Sequence, residues 1–341
     1  MTAKKYNSVF FYPALLLLML IIVLSLSLGA VRIPLWDTFR AIGEIISKKS
    51  TESDPYIVIL NLRILRTMLA GIVGASLASA GAVFQGLFRN PLADPYIIGT
   101  SSGSAFGAVL AIVLGWTVSI PGFSAISAMA FLGGIIATLA VYLITGVFGS
   151  RGDTVTLLLA GTALSSLFSS LIAILVAIKD KQLHQAYFWL LGSFSGRGLG
   201  ELLVLLIPAL LGFIAALASS RILDLFSAGD ESVIMLGLDP GKARLVIGAA
   251  MALTISASVS TAGSIGFIGL IAPHIARRFV GPVHKWLIPA SAVTGAIMLI
   301  AADLTARTLV PPVELPVGAV TALIGAPYFL YKISKHGLRS L

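Results

Sequence analysis

The chain has 341 residues, 57% of them hydrophobic and only 11% charged, and its mean hydropathy is +1.01. A water-soluble domain carries about 25% charged residues, and a surface this poor in charge would expose apolar patches large enough to aggregate. Lipid must therefore cover it, which excludes a soluble enzyme. The net charge of +9 is not gathered into a basic stripe with interleaved aromatics, so anionic headgroups or partner proteins are expected and nucleic acid is not; the lack of cysteine excludes disulfide and thiolate chemistry.

A helix crosses the hydrocarbon core with about 20 apolar residues. A barrel strand would instead alternate polar and apolar over about 10 residues. The apolar runs here do not alternate, so helices are expected, each satisfying its own backbone groups. The first run, Phe10 to Val31, meets no charge before Arg32. It exceeds the apolar core of a cleavable signal and follows Lys4 and Lys5, so it reads as a retained first span (9–31) with its N-terminus in the cytoplasm. The polar stretch 32–62 holds Trp36, Asp37, Lys48, Lys49, Glu52 and Asp54 and is long enough for an amphipathic interfacial helix. Further spans are expected at 64–86, 97–116, 123–147, 155–178 and 202–219.

Residues 220–244 mix charges with apolar residues and are punctuated by Gly229, Gly237 and Gly241, a pattern for two short helices outside the bilayer. Spans at 243–262, 265–279, 286–309 and 316–332 complete the chain. The eighth is short and contains Pro273 and His274, so 263–275 reads as partly re-entrant, covered by protein rather than lipid. The result is an all-α polytopic membrane protein of about ten transmembrane helices, in one domain over 1–341; hydropathy leaves nine or eleven crossings open. With ten, slightly more lysines and arginines lie inside than outside, in keeping with cytoplasmic termini.

No P-loop GxxxxGK[ST] and no HExxH occur, and His184, His274, His284 and His336 lie far apart. No catalytic centre, metal site or cofactor of its own is therefore expected. Gly71, Gly74, Gly81, Gly86, Gly103 and Gly107 lie within spans, where small residues let helices pack closely. Arg63 and Arg66 precede the second span and Arg307 ends the ninth, all at the outer mouth. They read either as a grip for carboxylates of an outside partner or as interfacial snorkelling. On the inner side Asp230 and Glu231 open a short segment, with Arg244 beyond it, and read as a meeting point for a motor subunit or as a solvated loop. Asp303, within the ninth span, must be paired or wet to be tolerated there.

Five stretches carry a resemblance to a known family. They are LRILRTMLAGIVGASLASAGAVFQGLFRNPLADPYIIGTSSGSAFG at 62–107, FWLLGSF at 188–194, SAGDESVIMLGL at 227–238, GSIGFIGLIAPHIARRFVGPVHKWLIP at 263–289 and ADLTARTLVPPVELPVGAVTALIGAPYFLY at 302–331. The chain resembles the permease subunit of the ABC importers for iron–siderophore, haem and vitamin B12, the FecCD family. The resemblance implies a vitamin B12 importer permease-like fold with ten spans and cytoplasmic termini. It implies a second, identical permease chain, two ATPase subunits that bind ATP and Mg, and an extracytoplasmic substrate-binding protein that delivers an iron chelate, haem or cobalamin.

By motif, Arg63, Arg66 and Arg307 would face carboxylates of the binding protein. The cytoplasmic coupling segment would be 227–242, with Asp230, Glu231, Gly237 and Leu238. The inner gate would lie near Asp153, Thr154 and Thr156, and Ser165, Ser166 and Ser169 would line the path. Ile64 and Leu65 stand where the family frequently has Leu-Pro; the arginine spacing is kept. An ion-coupled secondary transporter would need a buried carboxylate relay, for which Asp303 has no evident partner in the sequence. A structural membrane scaffold is the third class.

Overall fold

Each of the ten expected spans coincides with a helix. The computed structural model describes residues 3–29, 31–47, 55–116, 119–120, 123–148, 154–179 and 182–336. In chain order these form α1 (Ala3–Ser27), α2 (Leu35–Ile46), α3 (Pro55–Leu87), α4 (Thr100–Val113), the two-residue antiparallel strands β1 (Ser119–Ile120) and β2 (Phe123–Ser124), α5 (Ala125–Phe148) and α6 (Thr154–Ile178). Then follow α7 (Leu183–Leu191), α8 (Leu199–Ala218), α9 (Ser220–Ala228), α10 (Asp230–Met235), α11 (Pro240–Ala262), α12 (Ile268–Val280), α13 (His284–Thr308) and α14 (Val317–His336). Among the described residues, seven helices are long and apolar enough to cross a membrane: α1, α3, α5, α6, α8, α11 and α13. The chain is an all-α polytopic membrane protein.

Apolar burial gives little driving force between helices inside lipid, so packing rests on close backbone approach. At the centre, α3 and α13 meet through Gly74 and Gly295: a Cβ on either would run into the other's carbonyl oxygen. On the same α3, a Cβ on Gly81 would strike the carbonyl of Gly269 in α12. These glycines bring three helices to backbone contact around a core that includes Leu69, Val73, Leu77, Phe84, Ile288 and Leu299.

The 33 residues of α3 span roughly 50 Å, well beyond the ~30 Å hydrocarbon layer. Its first turns carry α2, through a small separate core of Leu26, Ala41, Ile57 and Leu60. The opposite side of α2 exposes Leu35, Trp36 and Phe39, so 32–62 does hold an amphipathic helix. At the other end of the chain's polar segments, α9 and α10 are the two short helices expected in 220–244, separated by Gly229 at φ 125°.

Helix α12 has 13 residues, about 20 Å of rise, and is too short for a full crossing of the ~30 Å hydrocarbon layer. Non-helical backbone precedes it, with Phe267 at φ 69°. That stretch is held by protein: Tyr96 Oη donates to Ile265 O at 2.8 Å, and the Ser101 and Ser264 hydroxyls bond at 2.8 Å. Irregular backbone at membrane depth is tolerated only under such cover.

Candidate functional site

Two turns of helix build an arginine cluster. On α3, Arg63 and Arg66 lie three residues apart; on α13, Asp303 and Arg307 lie four apart and so share a face. Arg66 grips Asp303 with Nε at 3.0 and 3.1 Å to the two carboxylate oxygens and with Nη2 at 2.9 Å, and its Nη1 donates to Glu314 Oε2 at 2.8 Å. Arg307 places Nε 3.6 Å from Asp303 Oδ2, while its Nη2 donates to Ser25 Oγ at 2.7 Å and to the Ser25 carbonyl. Arg63 donates to the carbonyls of Leu26 at 2.8 Å, Ser27 at 3.1 Å and Val31. The Leu26 and Ser27 carbonyls lie in the last turn of α1 and Val31 just beyond it, and Ser27 O also accepts from the Ile33 N–H at 3.0 Å, so Arg63 helps close that helix end.

The three arginines singled out in the sequence are thus neighbours, and Asp303 has its partner in Arg66. Their exposure differs. Arg63 and Arg307 are buried, Arg66 is partly so and Glu314 is exposed; all four line a cleft of about 560 Å³, together with Phe194, Ser195 and Arg197. Glu314, Ser25 and Arg197 were not singled out from the sequence. They come from the α13–α14 connection, the end of α1 and the α7–α8 connection, and no spacing rule joins such distant positions.

On the opposite side Asp230, at the start of α10, accepts from Arg244 Nη2 at 2.7 Å and from Arg89. Burial pushes the Asp230 carboxyl pKa up, but Arg244 and Arg89 outweigh it and hold the group below its ordinary value. Arg244 also stacks over Phe226, 4.7 Å from the ring centroid. Glu231 is exposed and makes no bond of this kind among the described residues. Val233 is buried, and beyond it the chain reverses at Gly237, φ 76°, where its N–H donates to Ile234 O at 2.8 Å. This leaves Ile234, Met235, Leu236 and Leu238 exposed as an apolar tip. Asp224 of α9 takes the His284 backbone N–H at 2.9 Å and Nδ1 at 2.7 Å, tying the segment to α13.

Thr154 opens α6 and Thr156 is half-buried on it; Asp153 lies outside the described residues. Ser165 reaches Ser102 of α4 at 3.0 Å. Ser166 and Ser169 are exposed, and their hydroxyls return to the helix's own carbonyls, Thr162 O at 3.1 Å and Ser165 O at 2.9 Å. Thr162 and Ser170 extend this row, which the sequence reading covered only in part. Almost none of α6 is buried by the rest of the chain. Among the described residues no group of three His, Cys, Asp or Glu could hold a metal ion.

Comparison with known proteins agrees with this architecture. The cobalamin import system permease protein BtuC of Halobacterium salinarum is 41% identical over 285 residues, 84% of this chain and 75% of the relative. The hemin transport system permease protein HmuU of Yersinia pestis is 39% identical over 326 residues, 93% of each chain. A solved inward-facing structure, described as that of a metal-chelate type ABC transporter, superposes with a TM-score of 0.81 at 34% identity, covering 94% of this chain and 98% of the other. Residues 17–335 match the model of the FecCD transport family, and the chain belongs to that family.

Proposed function

We propose that the chain is the membrane-spanning permease subunit of an ATP-driven, binding-protein-dependent importer of a metal chelate, with an iron–siderophore complex or haem as cargo and vitamin B12 as the alternative. The observation that carries this reading is α6: a membrane helix that its own chain leaves uncovered, bearing a row of hydroxyls at Thr162, Ser166, Ser169 and Ser170. Lipid is a poor neighbour for such a row, whereas a water-filled path between two permease copies suits it.

In this reading the domain runs over 1–341 with ten crossings and cytoplasmic termini, in the plasma membrane of a prokaryote. Two identical chains enclose the path. The outer cluster of Arg63, Arg66 and Arg307 meets carboxylates of the extracytoplasmic binding protein. Two ATPase subunits bind ATP and Mg and push on the coupling segment 227–242, whose apolar tip around Met235 and Leu238 suits a groove in a partner. Asp153, Thr154 and Thr156 form the inner gate, and Ser165, Ser166 and Ser169 line the path. Relatives named for cobalamin and for hemin match to similar degrees, so cargo choice falls chiefly to the binding protein.

An ion-coupled carrier is the competing class. The held state of Asp303, gripped by Arg66 and faced by Arg307, disfavours a proton relay there. Uptake by proteoliposomes holding the permease, the ATPase and the binding protein decides. ATP-dependent accumulation of a ferric siderophore or haem is expected; accumulation driven by an ion gradient without the ATPase would refute the proposal.

A further inference from the structure

The outer cleft holds four arginines, and three of them are already engaged. Arg63 donates to three carbonyls at the end of α1, Arg66 to Asp303 and Glu314, and Arg307 to Ser25. The fourth, Arg197, lines the same cleft of about 560 Å³. Its side chain makes no hydrogen bond or ion pair among the described residues, and its Nε is buried without an acceptor.

The connection that carries it is well defined. Phe194 is buried at 1% exposure and anchors the turn, Gly196 takes φ 71°, and the Arg197 backbone N–H donates to Phe194 O at 3.4 Å. Glu201 is the nearest carboxylate by charge, yet its Oε2 is taken by the Gly198 N–H at 3.0 Å and forms no ion pair with Arg197. Burial draws the guanidinium pKa below its ordinary value, and the charge of Glu201 partly offsets this.

A guanidinium removed from bulk water without an acceptor loses much of its solvation, and a carboxylate arriving in a two-bond fork restores it. At Arg197 such a carboxylate breaks no bond within the chain. At Arg66 it must displace Glu314, and at Arg63 or Arg307 it must open buried bonds. We infer that Arg197 is the cation of the outer cleft that makes the first direct bond to an acidic side chain of the binding protein. Arg63, Arg66 and Arg307, whose present bonds must first open, meet the binding protein's carboxylates after it, and until then Arg63 and Arg307 hold the α1, α3 and α13 ends which wall the cleft. The inference rests on the proposed docking role of this cleft.

The test uses the complete permease–ATPase complex in nanodiscs and its cognate binding protein free of cargo, with the dissociation constant measured at low and at high salt. Arg197→Ala is expected to weaken binding about tenfold at low salt, less at high salt. Arg197→Lys restores only part of the affinity, since it lacks the planar fork. The melting temperature of both variants stays that of the parent, which a merely structural arginine would not allow. Affinity within twofold of the parent for Arg197→Ala, beside a clear loss in Arg66→Glu, overturns the role of Arg197 while the docking reading stands. No loss in either variant overturns both. A loss seen only with cargo-loaded binding protein also overturns the inference, because Arg197 then meets the cargo.

Discussion

Removing the Asp303 carboxylate is the sharpest perturbation of the arginine cluster. Its side chain is 1% exposed and stands between Arg66 at 13% and Arg307 at 5%. In Asp303→Ala two guanidiniums face each other with no anion between them, at the end of a membrane helix. Breaking a buried pair by deleting one partner costs about 3–5 kcal/mol. An unfolding entropy of about 2.1 cal/mol/K per residue over 341 residues converts this to a fall in melting temperature of roughly 4–7 °C. Asp303→Asn keeps an acceptor oxygen but not the charge, and should fall between parent and alanine variant. The double variant Asp303→Leu with Arg66→Leu should regain only part of the loss, because it removes the Arg66–Asp303 pair whole but leaves Glu314 without Arg66 and Arg307 without Asp303. The assay is the monodisperse fraction surviving a heating series in detergent. A melting temperature for Asp303→Ala within 1 °C of the parent, roughly 0.7 kcal/mol on the same scale, would refute the reasoning that the pair is energetically engaged.

Four further outcomes are expected. Asp230→Ala with Glu231→Ala removes the carboxylate that Arg244 and Arg89 share, so ATP turnover should continue while uptake falls several-fold; normal coupled uptake would reject the coupling role. Because the Asp230 carboxyl titrates below its ordinary 3.8, its link to Arg244 is fully present above that value and is lost only as pH falls through the lower folded one, so coupling should be flat across neutral pH. Asp94, in the α3–α4 connection, has its pKa pushed up to about 6 by burial, opposed by the Tyr96 N–H at 2.8 Å. The folded state then holds the proton more tightly than the unfolded one, so stability drops as pH rises from the ordinary 3.8 to about 6 and is level above; Asp94→Asn should flatten the melting-temperature profile across that window, and an unchanged slope would exclude Asp94 as its source. Gly74→Val puts a branched side chain against the Gly295 carbonyl, and overpacking of about 1–3 kcal/mol should lower the monodisperse yield, whereas Gly43→Val, where a Cβ meets nothing, should not.

The sequence reading located every long helix because hydropathy reports lipid contact directly. It failed where another contact replaces lipid. The start of α3 lies nine residues before the expected 64 because Asn61, Arg63 and Arg66 depress hydropathy, although α2 rather than lipid covers those turns. Helix α7 was missed: it has nine residues and begins with His184 and Gln185 after its first leucine, too short and polar for a span signal. Within 263–275, expected to be partly re-entrant as a whole, the irregular backbone is confined to Gly263 to Phe267, ahead of α12, and Pro273 lies inside the helix. Within the site, the arginines were legible because charges beside apolar runs stand out. Ser25, Arg197 and Glu314 were not, since a serine in a span and single charges in short connections are ordinary, and only the packing of α1, α3 and α13 gathers them.

The sealing of α1 has a consequence for how the molecule is made. Its last carbonyls receive their donors from Arg63 and, across 282 positions of chain, from Arg307. During synthesis the first membrane segment to emerge therefore keeps its C-terminal end unfinished until nearly the whole polypeptide has been made, and a truncated product lacking α13 never gains the Arg307 donor at Ser25.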